Sequence, residues 1–110
     1  MSRLFYYKGV PFVADYGVQT CLEPIILDCE TSYIEYNGEL VCWISSAQLL
    51  WGDEYHLFGN ARDLCTWFNN MICEYHLGIN RNNSLRRAIC YIHNAKFDLS
   101  YLIAFFKTLL

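Results

Sequence analysis

The chain has 110 residues, 55% of them hydrophobic, and a formal charge of −3 at pH 7. That content fits one compact domain and excludes a disordered chain. The charge speaks against a dedicated nucleic-acid coat protein, although an acidic centre neutralised by metal stays compatible with it. The longest apolar stretch, near residues 101–106, is far too short to span a bilayer, and residues 1–8 lack the apolar core and cleavage site of a secretory signal. A cytoplasmic protein with no membrane contact is therefore expected.

Residues 1–22 are aromatic and irregular, punctuated by Gly9, Pro11 and Gly17, and read as a loosely attached N-terminal arm or a short edge strand. The domain proper spans residues 23–110. Residues 24–31 read as a strand with a continuous apolar run, hence buried on both faces and central in its sheet. Asn37-Gly38 is a strong hairpin signal between residues 32–36 and 40–44, with strand character continuing toward Leu50. A turn at residues 51–54 leads to a third strand at 55–58. Asn60 then caps a helix with Asp63 three residues on, and Leu64, Phe68, Met71, Ile72 and Tyr75 share one face. Gly78 is expected to end that helix.

A polar loop at residues 80–84 precedes a fourth strand, residues 87–93. A second helix, apolar on nearly every side, is expected from Phe97 to the end. The intervening helix makes a crossover, so the Cys90 strand should run parallel to the Asp28 strand. The six cysteines show no Cys-x-x-Cys pair, and most sit inside apolar runs. They read as small buried hydrophobes rather than a disulfide framework or a zinc site.

Two short acidic motifs carry the chemistry. Ile25-Ile26-Leu27-Asp28-Cys29-Glu30-Thr31 sets two carboxylates two residues apart on a strand, so Asp28 and Glu30 share a face and Cys29 takes the other. Tyr91-Ile92-His93-Asn94-Ala95-Lys96-Phe97-Asp98 brings a third acid where strand gives way to helix. Carboxylates side by side repel each other, and a divalent cation is the usual compensation. Two such ions can clamp a phosphodiester for hydrolysis. The bland alternatives are surface acids at a strand end and a first-turn acid favoured by the helix dipole. Arg81, Arg86 and Arg87 form a basic cluster that reads as a solvated loop and strand edge before it reads as a phosphate contact.

These motifs resemble those of the 3′–5′ exonuclease domain of DNA polymerases, in the DEDD-type exonuclease superfamily. The pattern is most similar to the protein-primed family B polymerases of bacteriophages and linear plasmids. Asp28-Cys29-Glu30-Thr31 resembles the first exonuclease motif, and the run from His93 to Asp98 resembles the second. The likeness covers residues 22–110. It implies an α/β, ribonuclease H-like mixed sheet in β-β-β-α-β-α order, incomplete at its C-terminal side. It also implies an N-terminal fragment of a viral polymerase, in the host cytoplasm, whose proofreading site removes nucleotides from 3′ ends of single-stranded DNA during replication.

By the resemblance Asp28, Glu30 and Asp98 would be the catalytic acids and would ligate Mg²⁺ or Mn²⁺ in a two-metal site. Thr31, Tyr91, His93, Asn94, Phe97 and Tyr101 match positions that hold the DNA end. The implied partners are that 3′ end, the rest of the polymerase chain and a terminal-protein primer. No acid follows Asp98, so the family's third motif, Tyr-x-x-x-Asp, is unmatched, and the chain alone is expected to be inactive. Two other readings stand beside this one: a stand-alone exonuclease like the bacterial epsilon subunit, and a non-catalytic module binding DNA or a replication protein.

Overall fold

The structure, a computed structural model, describes residues 2–93. It consists of two mixed sheets and one helix, α1 (Ala61–Glu74). The strands are β1 (Arg3–Tyr7), β2 (Val10–Asp15), β3 (Val18–Cys21), β4 (Ile25–Tyr36), β5 (Glu39–Trp51), β6 (Glu54–Phe58), β7 (Gly78–Ile79), β8 (Leu85–Arg87) and β9 (Cys90–Ile92). The first sheet has the order β1-β2-β3-β8-β7, and the second β6-β5-β4-β9.

Tight hairpins generate most of this. Tyr7 pairs with Val10, Asp15 with Val18, Tyr36 with Glu39 and Trp51 with Glu54, so each of these connections is two residues long. Lys8-Gly9, Tyr16-Gly17 and Asn37-Gly38 all have positive φ at both central residues, the type I′ pattern whose twist matches that of paired strands. At Gly52-Asp53 only the glycine has positive φ, which fits the II′ form. The residues expected to form an N-terminal arm are therefore a three-stranded meander. Its Phe12 is 1% exposed and belongs to the main core.

Two segments cross side by side from the first sheet to the second. β3 runs parallel to β8, and β4 runs parallel to β9. Between them the chain bends at residues 22–24 and 88–89, where the Ile25 N–H donates to the Ile89 carbonyl at 2.9 Å. The Trp51 indole N–H donates to the Glu23 carbonyl at 3.0 Å and so ties the end of β5 to this corner. Trp51 also meets Trp67 and Tyr75 edge-on. Ile25, Leu27, Cys29, Ala47, Leu49 and Trp51 line the inner face of the second sheet and close on Leu64, Cys65, Met71 and Tyr75 of the helix side. Burial of such side chains stabilises a fold by roughly 1.5–3 kcal/mol each.

The helix begins as its sequence requires. The Asn60 side-chain oxygen accepts the Asp63 N–H at 2.9 Å, and the Asn60 amide donates to the Asp63 carboxylate at 3.2 Å. Its end differs from expectation, because Gly78 lies in β7 instead. His76 takes the left-handed conformation (φ 52°) beyond the cap residue Tyr75. The Leu77 N–H reaches the Ile72 carbonyl and the His76 N–H the Cys73 carbonyl, which is a Schellman ending built without glycine.

The expected α/β, ribonuclease H-like class is not what the chain adopts. The described residues are mostly strand, with one helix and two sheets of five and four strands. The β-β-β-α-β order missed β1–β3, because two of their turns lack the Asn or Asp that marks a hairpin. It also merged β8 and β9, which belong to different sheets. The expected terminal helix lies outside the described residues. Pairing does place β4 between β5 and β9, with β9 parallel to it. Its even-numbered face, however, is left open by the described residues, and Ile26 is 48% exposed.

Two measurements check this packing. Tyr16 holds a left-handed φ of 49° while its side chain is 91% exposed, so it spends backbone strain for no packing gain. Tyr16→Asn should raise unfolding free energy in urea by about 0.5–1 kcal/mol; a loss would reject the turn geometry. Burial also pushes the Cys65 and Cys90 thiols up to about 11 from 9.0. Unfolded thiols ionise first on raising pH, so this stabilisation is complete below 9 and lost by 11. The urea midpoint should fall across that window, and fall less steeply with Cys65→Ala and Cys90→Ala combined.

Candidate functional site

The acids are placed by β4 and its register. On this strand Ile25, Leu27 and Cys29 point into the core, so Ile26, Asp28 and Glu30 face outward on the other side. Asp28 lies opposite Gln48 and Glu30 opposite Ser46. Asp28 is half-buried and Glu30 exposed. A bulge follows at Glu30/Thr31, where Ser45 is the extra residue of β5 and its hydroxyl donates to the Glu30 carbonyl at 3.2 Å. Bulges of this kind re-aim side chains and change local twist.

Beyond the bulge β4 and β5 continue as a two-stranded ribbon to the Asn37-Gly38 turn. Ser32 pairs with Trp43, Ile34 with Val41 and Tyr36 with Glu39, on the same outward face as the acids. Thr31 alternates to the opposite face and pairs with Ile44, which is 3% exposed, so it does not join Asp28 and Glu30. Trp43, 43% exposed, sits one row beyond Glu30. It lies outside both acidic motifs. Its position was nonetheless readable from the hairpin, since Asn37-Gly38 sets Trp43 opposite Ser32.

Tyr91 pairs with Ile26, which puts it on the acids' face, one row behind Asp28. The His93 N–H donates to the Leu27 carbonyl at 3.0 Å and anchors the chain beside Asp28 as it leaves β9. Asn94, Phe97, Asp98 and Tyr101 lie outside the described residues. Among the described residues no group of three or more His, Cys, Asp or Glu side chains converges as a metal centre. The two carboxylates are hard oxygen donors of the type that suits Mg²⁺ or Mn²⁺. As described they supply only part of a coordination sphere.

Charge is distributed unevenly along the chain. Residues 9–61 hold eight acids and no lysine or arginine, so the β4–β5–β6 region is acidic throughout. Among the described residues the cations gather on and around the first sheet, apart from Arg62 on α1. On that sheet Arg86 is a packing residue. Its Nε donates to the Gln19 side chain at 2.8 Å and its Nη1 to the Tyr75 carbonyl at 2.9 Å, with the guanidinium 4.6 Å from the Tyr7 ring centre. Arg87 donates to the Thr20 hydroxyl at 3.0 Å on the surface. Arg86 thus staples the helix end to β3 and β1.

Among the described residues no helix is long and apolar enough to cross a membrane. No family model, curated protein or solved structure matches this chain.

Proposed function

We propose that the outward face around Asp28 and Glu30 binds a divalent cation and, through it, the 3′ end of single-stranded DNA. In this reading the chain is part of the proofreading 3′–5′ exonuclease of a protein-primed viral DNA polymerase. The observation that carries it is the shared outward face of Asp28 and Glu30, with the second motif's strand fixed alongside by the His93–Leu27 bond. Two carboxylates on an acidic sheet repel phosphate, so DNA binding here needs a counter-ion. A bound Mg²⁺ or Mn²⁺ would supply that charge and polarise a phosphodiester. Trp43, exposed beside Glu30, offers a face on which an unpaired base can stack without sequence preference. Asp98 is the further acid that the second motif would contribute.

The alternative is a non-catalytic module that binds DNA or a replication protein. It is favoured by one observation, that among the described residues no three acidic side chains converge on the face. The same experiment separates the two. The chain is titrated with Mn²⁺ by electron paramagnetic resonance, then mixed with a 5′-labelled oligonucleotide. Binding of the ion should weaken at least about tenfold in Asp28→Ala/Glu30→Ala, as expected when ligands are lost. Trp43→Ala should weaken Mn²⁺-dependent DNA binding by about 1–3 kcal/mol. Stepwise shortening from the 3′ end that Asp28→Ala abolishes supports the nuclease, and ion-dependent binding without shortening supports the module. Identical Mn²⁺ isotherms for wild type and the double variant would overturn both.

A further inference from the structure

A cavity of about 260 Å³ lies against the first sheet, lined from β1, β3, β7, β8 and the loop that follows β7. Its chemistry is one-sided, because no carboxylate lines it. The parallel β3–β8 register sets Gln19 directly opposite Arg86. The Gln19 side-chain oxygen accepts from Arg86 Nε at 2.8 Å, which leaves its amide nitrogen as the unused group. The same division holds at Asn80. Its side-chain oxygen accepts the Asn82 and Ser84 N–H groups at 2.9 and 3.1 Å, and its amide nitrogen is again left as a donor. Among the described residues nothing accepts from either amide. Arg86 brings only donors, and a guanidinium has more N–H groups than it spends on Gln19 and the Tyr75 carbonyl.

We propose that this cavity binds a terminal phosphate, as inorganic phosphate or as a small phosphate monoester. A half-buried guanidinium without an anion is incompletely compensated, and among the described residues no carboxylate pairs with Arg86. Arg86 stands 4.6 Å from the Tyr7 ring centre and Lys8 Nζ 5.8 Å from it, so two positive charges meet at one wall of the cavity. Ser84 adds a hydroxyl and His76 an imidazole. A terminal phosphate matches this set with three strong acceptor oxygens and a charge of about −1.5 to −2. A phosphodiester or a carboxylate offers less of both.

Size points the same way. The volume is below the roughly 300–1,000 Å³ of pockets that enclose a drug-sized ligand, so the occupant is a small anion and not a whole nucleotide. The donors are also held in advance. Besides the two bonds to its side chain, the Asn80 N–H donates to the Ser84 carbonyl at 2.9 Å and closes the loop on itself. The cavity belongs to the first sheet, whereas Asp28 and Glu30 stand on the second, and its occupant is independent of any chemistry there.

The test is an NMR titration of the full chain with inorganic phosphate, at constant ionic strength and without metal. Side-chain amide signals of Gln19 and Asn80 should shift saturably, while those of Asn37 and Gln48 on the second sheet stay in place. Methyl phosphate should act like phosphate, and dimethyl phosphate and acetate should bind at least about tenfold more weakly. Gln19→Glu and Asn80→Asp keep the acceptor oxygens that hold the fold and replace each donor by a like charge. Either should weaken phosphate binding at least about tenfold, read at the amide of the other residue. Arg87→Gln changes the net charge as much as Gln19→Glu but lies outside the cavity, and should leave binding within about twofold. The absence of saturable shifts at Gln19 and Asn80 would overturn the proposal. So would equal binding of dimethyl phosphate or acetate, since the cavity would then not select a terminal phosphate. Undiminished binding in a folded Gln19→Glu or Asn80→Asp chain, or an equal loss in Arg87→Gln, would overturn it as well.

Discussion

Everything else in this molecule depends on the register of the β4–β5 pair. The Asn37-Gly38 turn sets Tyr36 opposite Glu39, and the ladder runs from there to Ile25 opposite Trp51 with a single bulge at Glu30/Thr31. Side chains alternate with a period of two, so a slip of one residue would exchange the two faces. Leu27 and Leu49, both fully buried, would then meet water, and Asp28 and Gln48 would enter the core. The cost of burying an unpaired carboxylate makes that alternative inaccessible. The same constraint that builds the core therefore puts Asp28 and Glu30 together outside it.

The corner between the sheets is the second structural element that matters. Trp51 reaches the Glu23 carbonyl, and Arg86 reaches the Tyr75 carbonyl and Gln19. These bonds join β5, α1 and the first sheet around Phe12, Cys21 and Tyr75. The described residues form one filled interior and leave one sheet face open. They also separate charge, with cations beside β1 and β8 and acids along β4, β5 and β6. A phosphate-bearing ligand approaching the acidic half without a cation meets repulsion, which ties any DNA chemistry there to a bound metal.

Much of the second sheet was legible because its signals are local and strong. Asn37-Gly38 announces its hairpin, Asn60 and Asp63 announce the helix start, and alternation pairs Asp28 with Glu30 on one face. The first sheet was not legible, for a specific reason. Lys8-Gly9 and Tyr16-Gly17 form the same type of turn as Asn37-Gly38, but Lys and Tyr are poor at positive φ and give no such signal. The helix end was misplaced likewise, since His76 occupies the left-handed position that glycine usually takes. The continuous apolar run of β4 suggested burial on both sides. Ile26 pairs with Leu50 and Tyr91 on a face the described residues leave open, and a sequence does not reveal which of two apolar faces its neighbours cover.

The central claim is that Asp28 and Glu30 form the cation-binding centre of that outward face, with Trp43 beside them. Paramagnetic broadening of backbone and indole NMR signals by substoichiometric Mn²⁺ tests it most directly. Broadening should be strongest at Asp28, Glu30, Ser46, Gln48 and the Trp43 indole, and weaker at Leu64 and Cys65 behind the sheet. A competing acidic group exists at the corner, where Glu23, Asp53 and Glu54 line a cavity of about 270 Å³ beside Trp51. Broadening centred on those three residues, with Asp28 and Glu30 spared, would contradict the account.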